Sequence, residues 1–239
     1  MLKEILLDNS TSLEAGLEAL SSSIYTYPED DMGVLYDEYP VENFNWSTGC
    51  TKVCLIFRDF VLKKGFAGHV LDQDEDGEFI DEPEFVDWDF DYCKIEYDLY
   101  EMAIVYGVEE FFAEIISLKN STYAQEKCDI TFEDYDCSMY PDEYFERKKY
   151  GYAELRKVCE DGGVRPLFTM LSHDAMEAFL TQYSLEELKK LQNFLIDFDI
   201  NDLHQGNFGF FNGKLKFFDF AGIGTSTYSK IKNYSDSKS

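Results

Sequence analysis

The chain has 239 residues, 45% hydrophobic and 17% aromatic, enough to bury a core as one domain or one two-lobed unit and too apolar for a disordered polymer. A formal net charge of −27 gives a surface that repels DNA, RNA and anionic membranes and attracts basic partners. No segment reaches the ~20 apolar residues of a membrane span, and none of the six cysteines forms a CxxC pair, which argues against a zinc knuckle.

The opening segment MLKEILLDNSTSLEAGL has too short an apolar run for a signal peptide. The cysteines therefore read as reduced thiols of a cytoplasmic protein. Within residues 1–40, LEAGLEALSSSIYTY is compatible with a short helix, and the acidic PEDDMGVLYDEYPVE that follows reads as loop.

Residues 44–66 carry two β-rich runs, KVCLIF and DFVLKKGF, which abut at Arg58-Asp59 as a hairpin. Before them, STGCTK is a small-residue turn whose backbone N–H groups could face a phosphate, although such turns also serve geometry alone. Residues 71–91 hold eleven acids and no Lys or Arg, the pattern of an exposed acidic insertion. Inside it DQDEDG has the start of a calcium loop at Asp72, Asp74, Asp76 and Gly77, but Pro83 stands where the bidentate Glu belongs.

DYCKIEYDLYEMAIVY, residues 91–106, reads as a helix with Ile95, Leu99, Met102 and Ala103 on one face and Gly107 as its stop. EFFAEIISL and TYAQEKC suggest short strands around Asn120-Ser121. Between 129 and 183, ELRKVCEDGG and HDAMEAFLTQY are the helical pieces. Over 184–198 the signal is stronger: Ser184 and Glu187 form a capping box, and Leu185, Leu188, Leu191 (or Gln192) and Leu195 form a buried stripe.

That helix leads into DINDLHQGNFGFFNGKLKFFDFAGI, residues 199–223. FGFF and KLKFF pair across Asn212-Gly213, an N-G turn that favours a tight hairpin and sets Asn207 and Asp219 at one end of it. His204 reads as a loop-stabilising histidine, since no second His stands at metal-ligand spacing.

The order of these parts resembles the protein-kinase-like superfamily, including its aminoglycoside, choline and RIO-type branches. The parts are a glycine turn, a strand pair with Lys, a helix with Glu, further strands and helices, then D-x4-N and an Asp on a strand end. DLHQGNFG is similar to the catalytic loop of the aminoglycoside-kinase branch. The resemblance implies an α+β, two-lobed fold: a small mixed N-lobe over 1–128 with the 71–91 insertion, and a reduced, mainly helical C-lobe over 129–239.

It further implies ATP and Mg²⁺ as cofactors, with Asp202 as catalytic Asp and Asn207 and Asp219 as metal ligands. Lys63 takes the role of the strand lysine at the nucleotide phosphates, with Lys64 its rival on the opposite strand face. Glu96 takes that of the helix glutamate, with Glu101 its rival. Thr48 and Gly49 stand where the glycine-rich loop stands, and Glu126 to Cys128 where backbone groups meet adenine. Ile200 replaces a loop-supporting His, and Ala221 a Gly of the protein-kinase D-F-G. Twenty residues follow Asp219, short for the peptide-binding helices of protein kinases, so 129–183 is the expected acceptor region unless the substrate docks on the acidic surface.

Three functions follow as expectations: a kinase acting on a protein hydroxyl, a small-molecule kinase of the aminoglycoside sort, or a silent kinase-like module that inhibits a basic, nucleic-acid-binding partner. Direct contact with nucleic acid or membrane is not expected of any of them.

Overall fold

A computed structural model describes residues 1–22, 45–48, 52–65, 92–118, 122–130, 151–220 and 230–231. Gly49, the acidic 71–91 segment with its DQDEDG stretch, and Ala221 lie outside the described residues. The class is α+β, and the described residues form two antiparallel sheets and several helices. Among the described residues no helix is long and apolar enough to cross a membrane. The chain divides into two compact units, residues 1–97 with 115–127, and residues 98–114 with 128–239.

The first unit is built on a five-stranded sheet. Its strands are β1 (Asn45–Thr48), β2 (Lys52–Ile56), β3 (Phe60–Gly65), β4 (Ile115–Ser117) and β5 (Thr122–Glu126). They lie in the order β1-β2-β3-β5-β4, every pair antiparallel. The expected break at Arg58-Asp59 is the β2–β3 hairpin, closed by Phe57 N–H donating to the Phe60 carbonyl at 2.9 Å. Thr48, expected in the glycine turn, instead ends β1 opposite Val53.

Side chains alternate across a strand, so Val53, Leu55, Leu62 and Ala124 share one face of this sheet. Two helices, α1 (Leu2–Asp8) and α2 (Ser10–Ser22), pack on that face and bring Leu2, Leu6, Ala19 and Leu20 into its core. Both were harder to read than the strands: only a short helix was legible there, because tertiary packing supplies most helical stability. Gly16 permits the close approach of α2, since a Cβ there would stand 2.6 Å from Leu62 Cδ1 and 2.7 Å from Phe57 Cζ.

Helix α3 (Tyr92–Tyr106) ends as expected: Gly107 has φ +67°, and Val108 N–H reaches back to the Ala103 carbonyl at 2.9 Å. Ile95, Leu99 and Ala103 are buried on it; Met102 is only half-buried. Glu110 and Phe111, expected to start a strand, lie instead in a single 3-10 turn over Glu109–Phe111, with Phe112 extended after it.

Among its described residues the second unit has the short β6 (Asp129–Ile130), the helices α4 (Tyr152–Asp161), α5 (Arg165–Met170), α6 (His173–Gln182) and α7 (Leu185–Asp197), and the hairpin β7 (Phe208–Phe211) and β8 (Lys214–Phe217). Strands β6, β7 and β8 form a three-stranded antiparallel sheet. Its core is aromatic: Phe112 meets Phe194, Phe217 and Phe220 at ring-centroid distances of 5.6, 5.3 and 4.7 Å. Helix α5 has no counterpart in the sequence reading; it is one and a half turns long, too short for a periodic signal.

The capping box of α7 is present, with Ser184 Oγ accepting from Glu187 N–H and the Glu187 carboxylate accepting from Ser184 N–H at 2.7 Å. Leu188, Leu191, Gln192 and Leu195 are buried, but Leu185, expected in the stripe, is exposed at the first helical position.

Candidate functional site

Two constellations carry the residues singled out in the sequence, one in each unit. In the first, Lys63 of β3 lies opposite Cys54 of β2 and Tyr123 of β5. Lys52 stands two residues from Cys54, so Lys52, Lys63 and Tyr123 share the face of the sheet that α1 and α2 leave to other contacts. All three meet the carboxylate of Glu96, which is fully buried on α3.

The two oxygens of Glu96 are used unequally. Oε2 accepts from Lys52 Nζ at 2.6 Å and from the Tyr123 hydroxyl. Oε1 is 3.9 Å from Lys63 Nζ and makes no hydrogen bond. The Lys63 ammonium also sits 5.8 Å from the Tyr123 ring centroid, within cation–π range. Sequence reasoning paired Lys63 with Glu96, and the pair exists; the close partner, however, is Lys52, which it missed.

Alternation also separates Lys63 from its rival. Lys64 points to the other face, where its Nζ donates to the Leu20 carbonyl at 2.5 Å and so satisfies an acceptor in the last turn of α2. Glu101, the rival of Glu96, is exposed. Glu126 ends β5 opposite Phe60 with a buried side chain, and Cys128 is buried just before β6.

The second constellation begins where α7 ends. Asp199 adopts φ +56°, and Ile200 N–H donates to the Leu195 carbonyl at 2.8 Å, which turns the chain sharply out of the helix. Ile200 and Leu203 are buried and anchor the segment, leaving the Asp202 side chain between them 44% exposed. Ile200 thus holds the loop by burial.

Gly206 N–H donates to His204 Nδ1 at 3.1 Å, which leaves the neutral ring's proton on Nε2, 3.8 Å from Asp202 Oδ1. His204 is the loop-stabilising histidine expected. Asn207 is buried, and its Nδ2 donates to the Asp202 backbone carbonyl at 2.8 Å. That bond fixes the amide, so its Oδ1 is the atom left to accept or ligate.

Strand β7 starts immediately after Asn207. Asn212 and Gly213, at φ +51° and +77°, make the tight turn, and Phe208 pairs with Phe217 at the far end. Phe218 N–H then donates to the Asn207 carbonyl at 3.0 Å. Asn207 and the half-buried Asp219 are therefore at the same end of the hairpin, as the N-G turn led one to expect. Gly209 allows β6 to approach, because a Cβ would stand 2.7 Å from the Asp129 carbonyl oxygen.

Asn207 and Asp219 offer an amide and a carboxylate oxygen, hard donors that suit Mg²⁺. Among the described residues no group of three or more His, Cys, Asp and Glu forms a dedicated metal cage. Two protein ligands, with water and substrate phosphates completing the sphere, is the way Mg²⁺ is usually held in nucleotide sites, so the donor set fits that ion. Comparison with known proteins found no matching family model, no matching curated protein and no matching solved structure.

Proposed function

We propose that the chain is an ATP- and Mg²⁺-dependent phosphotransferase with a two-lobed protein-kinase-like fold, acting on a protein hydroxyl in the cytoplasm. The observation that carries this reading is the anchoring of Asn207: its side chain is tied to the Asp202 carbonyl and its own carbonyl to Phe218, next to Asp219. A loop Asp, a metal-binding Asn and a strand-end Asp are what phosphoryl transfer asks for, since that chemistry rests on positioning and charge neutralisation. The buried contact of Lys63 on the third strand with Glu96 on the following helix adds support, because kinases use a lysine–glutamate pair on the same two elements.

In this reading Asp202 orients the acceptor hydroxyl and takes its proton, Asn207 and Asp219 hold Mg²⁺, and Lys63 meets the nucleotide phosphates. The half-exposed carboxylate of Asp202 suits a group that has to reach a substrate. Thr48, Gly49 and Glu126 to Cys128 are proposed to contribute backbone groups toward the nucleotide.

The test is transfer of labelled phosphate from ATP with Mg²⁺ to the protein itself, to a cell lysate and to a cationic aminoglycoside. Label on protein supports the reading; label on the antibiotic alone moves the acceptor to a small molecule, as the DLHQGN loop would favour. Asp202→Ala should abolish transfer while ATP binding is retained. No transfer to any acceptor would sink the enzyme and favour a second reading, which the net charge of −27 motivates: a module that binds a basic protein electrostatically and releases it in salt.

A further inference from the structure

Glu96 carries a division of labour that a single lysine–glutamate pair would not have. One buried carboxylate serves two buried ammonium groups, which reach it from adjacent strands on one face of the sheet. The contacts differ in kind. Lys52 lies 2.6 Å from Oε2 and makes a charge-assisted hydrogen bond, and Tyr123 donates to the same oxygen. Lys63, at 3.9 Å from Oε1, is beyond hydrogen-bond distance of that carboxylate, so its contact with Glu96 is Coulombic.

The consequence concerns what happens when an anion arrives. Taking Lys52 away from Glu96 would leave a fully buried carboxylate without its close partner, which is strongly unfavourable. Moving Lys63 breaks no hydrogen bond to Glu96 and leaves that carboxylate still paired. Of the two lysines, Lys63 can therefore trade its contact with Glu96 for a phosphate at the lower cost.

We propose that Lys52, the first residue of β2, is a positioning residue: it holds Glu96, so that Lys63 can exchange its looser contact for the phosphate of a nucleotide ligand. This rests on the phosphotransferase reading for the identity of the ligand, but not for the assignment of the clamp. Without Lys52, the buried charge of Glu96 would draw Lys63 in, and a phosphate would have to compete with a carboxylate for it. An unphosphorylated nucleoside would feel no such competition.

Two measurements test this. The first needs no ligand: double-mutant cycles in urea compare the coupling of Glu96 to Lys52 with that to Lys63, using Glu96→Gln, Lys52→Met and Lys63→Met. Lys52 is expected to couple more strongly; a stronger coupling to Lys63 overturns the assignment. The second titrates ATP with Mg²⁺, and separately adenosine, into the wild type and the variants. Lys52→Met should weaken ATP about tenfold with adenosine unchanged, and Lys52→Arg should recover most of the loss.

A purely structural lysine would lower the urea midpoint yet leave the ratio of ATP to adenosine affinity as in the wild type, and that result overturns the proposal. Should Lys52→Met not fold, Lys52→Gln, which keeps a donor without the charge, serves in both arms. If the wild type binds neither ATP nor adenosine, the phosphate role of Lys63 falls with the nucleotide reading, while the order of the two couplings still decides whether Lys52 is the clamp.

Discussion

The two constellations are built in opposite ways. Around Glu96 the described partners are buried side chains: two lysines and a tyrosine, fixed by sheet register, close on one carboxylate. Around Asp202 the holding is done at backbone groups. The Asp202 carbonyl receives Asn207, the Asn207 carbonyl receives Phe218 N–H, and the Asp202 carboxylate stays half in solvent. A buried charge cluster is costly to form and costly to break, so it resists change and specifies geometry. A loop whose shape is set by hydrogen bonds to its main-chain carbonyls leaves its acid's side chain exposed at little structural cost. An acidic side chain can therefore be a keystone in one unit and nearly dispensable for folding in the other.

The widest gap between them should appear on removing each acid. Glu96→Ala leaves two buried lysines and a tyrosine without their carboxylate, and should cost the first unit about 3–5 kcal/mol. Asp202→Ala removes a half-exposed side chain and should change stability by no more than ~0.5 kcal/mol. Urea unfolding followed by a probe in each unit checks both values. Equal losses would mean that the contrast drawn from burial is wrong.

A smaller effect sharpens the backbone side of the contrast. Asn207→Ala leaves the Asp202 carbonyl without its side-chain donor, and should cost about 1 kcal/mol in the second unit. Asn207→Asp keeps the size but replaces the donating Nδ2 by an oxygen facing a carbonyl, so it should cost at least as much despite adding a hard ligand. A thermal melt of the two variants separates donor loss from loss of volume.

What was legible in the sequence follows the same division. Local signals held where local physics decides: the Arg58-Asp59 hairpin, Gly107 ending its helix, the Ser184–Glu187 box and the Asn212-Gly213 turn each depend on a few adjacent residues. The placement of Asn207 and Asp219 at one end of a hairpin was readable because the segment is nearly contiguous and one tight turn sets it. Lys52 and Tyr123 were missed because their roles depend on register between strands and on a helix elsewhere in the chain. A trace of the first was present, since pairing outward from the Arg58-Asp59 turn puts Lys63 opposite Cys54 and Lys52 two residues away on the same face. Nothing comparable points to Tyr123. The N-terminal helices were indistinct for another reason: what holds them is the apolar face of a sheet that begins more than twenty residues later.

The gentlest contrast is between two glutamates that both accept hydrogen bonds on helices, Glu96 in the buried cluster and Glu187 on the surface. Hydrogen bonds from the Ser184 hydroxyl, and next from its backbone N–H, hold the Glu187 carboxyl below its ordinary value of 4.5, with Lys190 and Lys214 adding smaller attraction. A carboxyl depressed in the folded state stabilises it at pH values above the unfolded value, and that contribution disappears as pH falls through the folded one. As the N-cap, Ser184 is expected to be worth about 1 kcal/mol at neutral pH, lost in Ser184→Ala. That substitution should also flatten the decline in urea midpoint between about pH 6 and about pH 3. Restoring neutral pH should return the full difference between wild type and variant. A gap independent of pH would show that the Ser184 hydroxyl serves the helix that delivers Asp202 through the Glu187 backbone N–H and not through the Glu187 carboxylate.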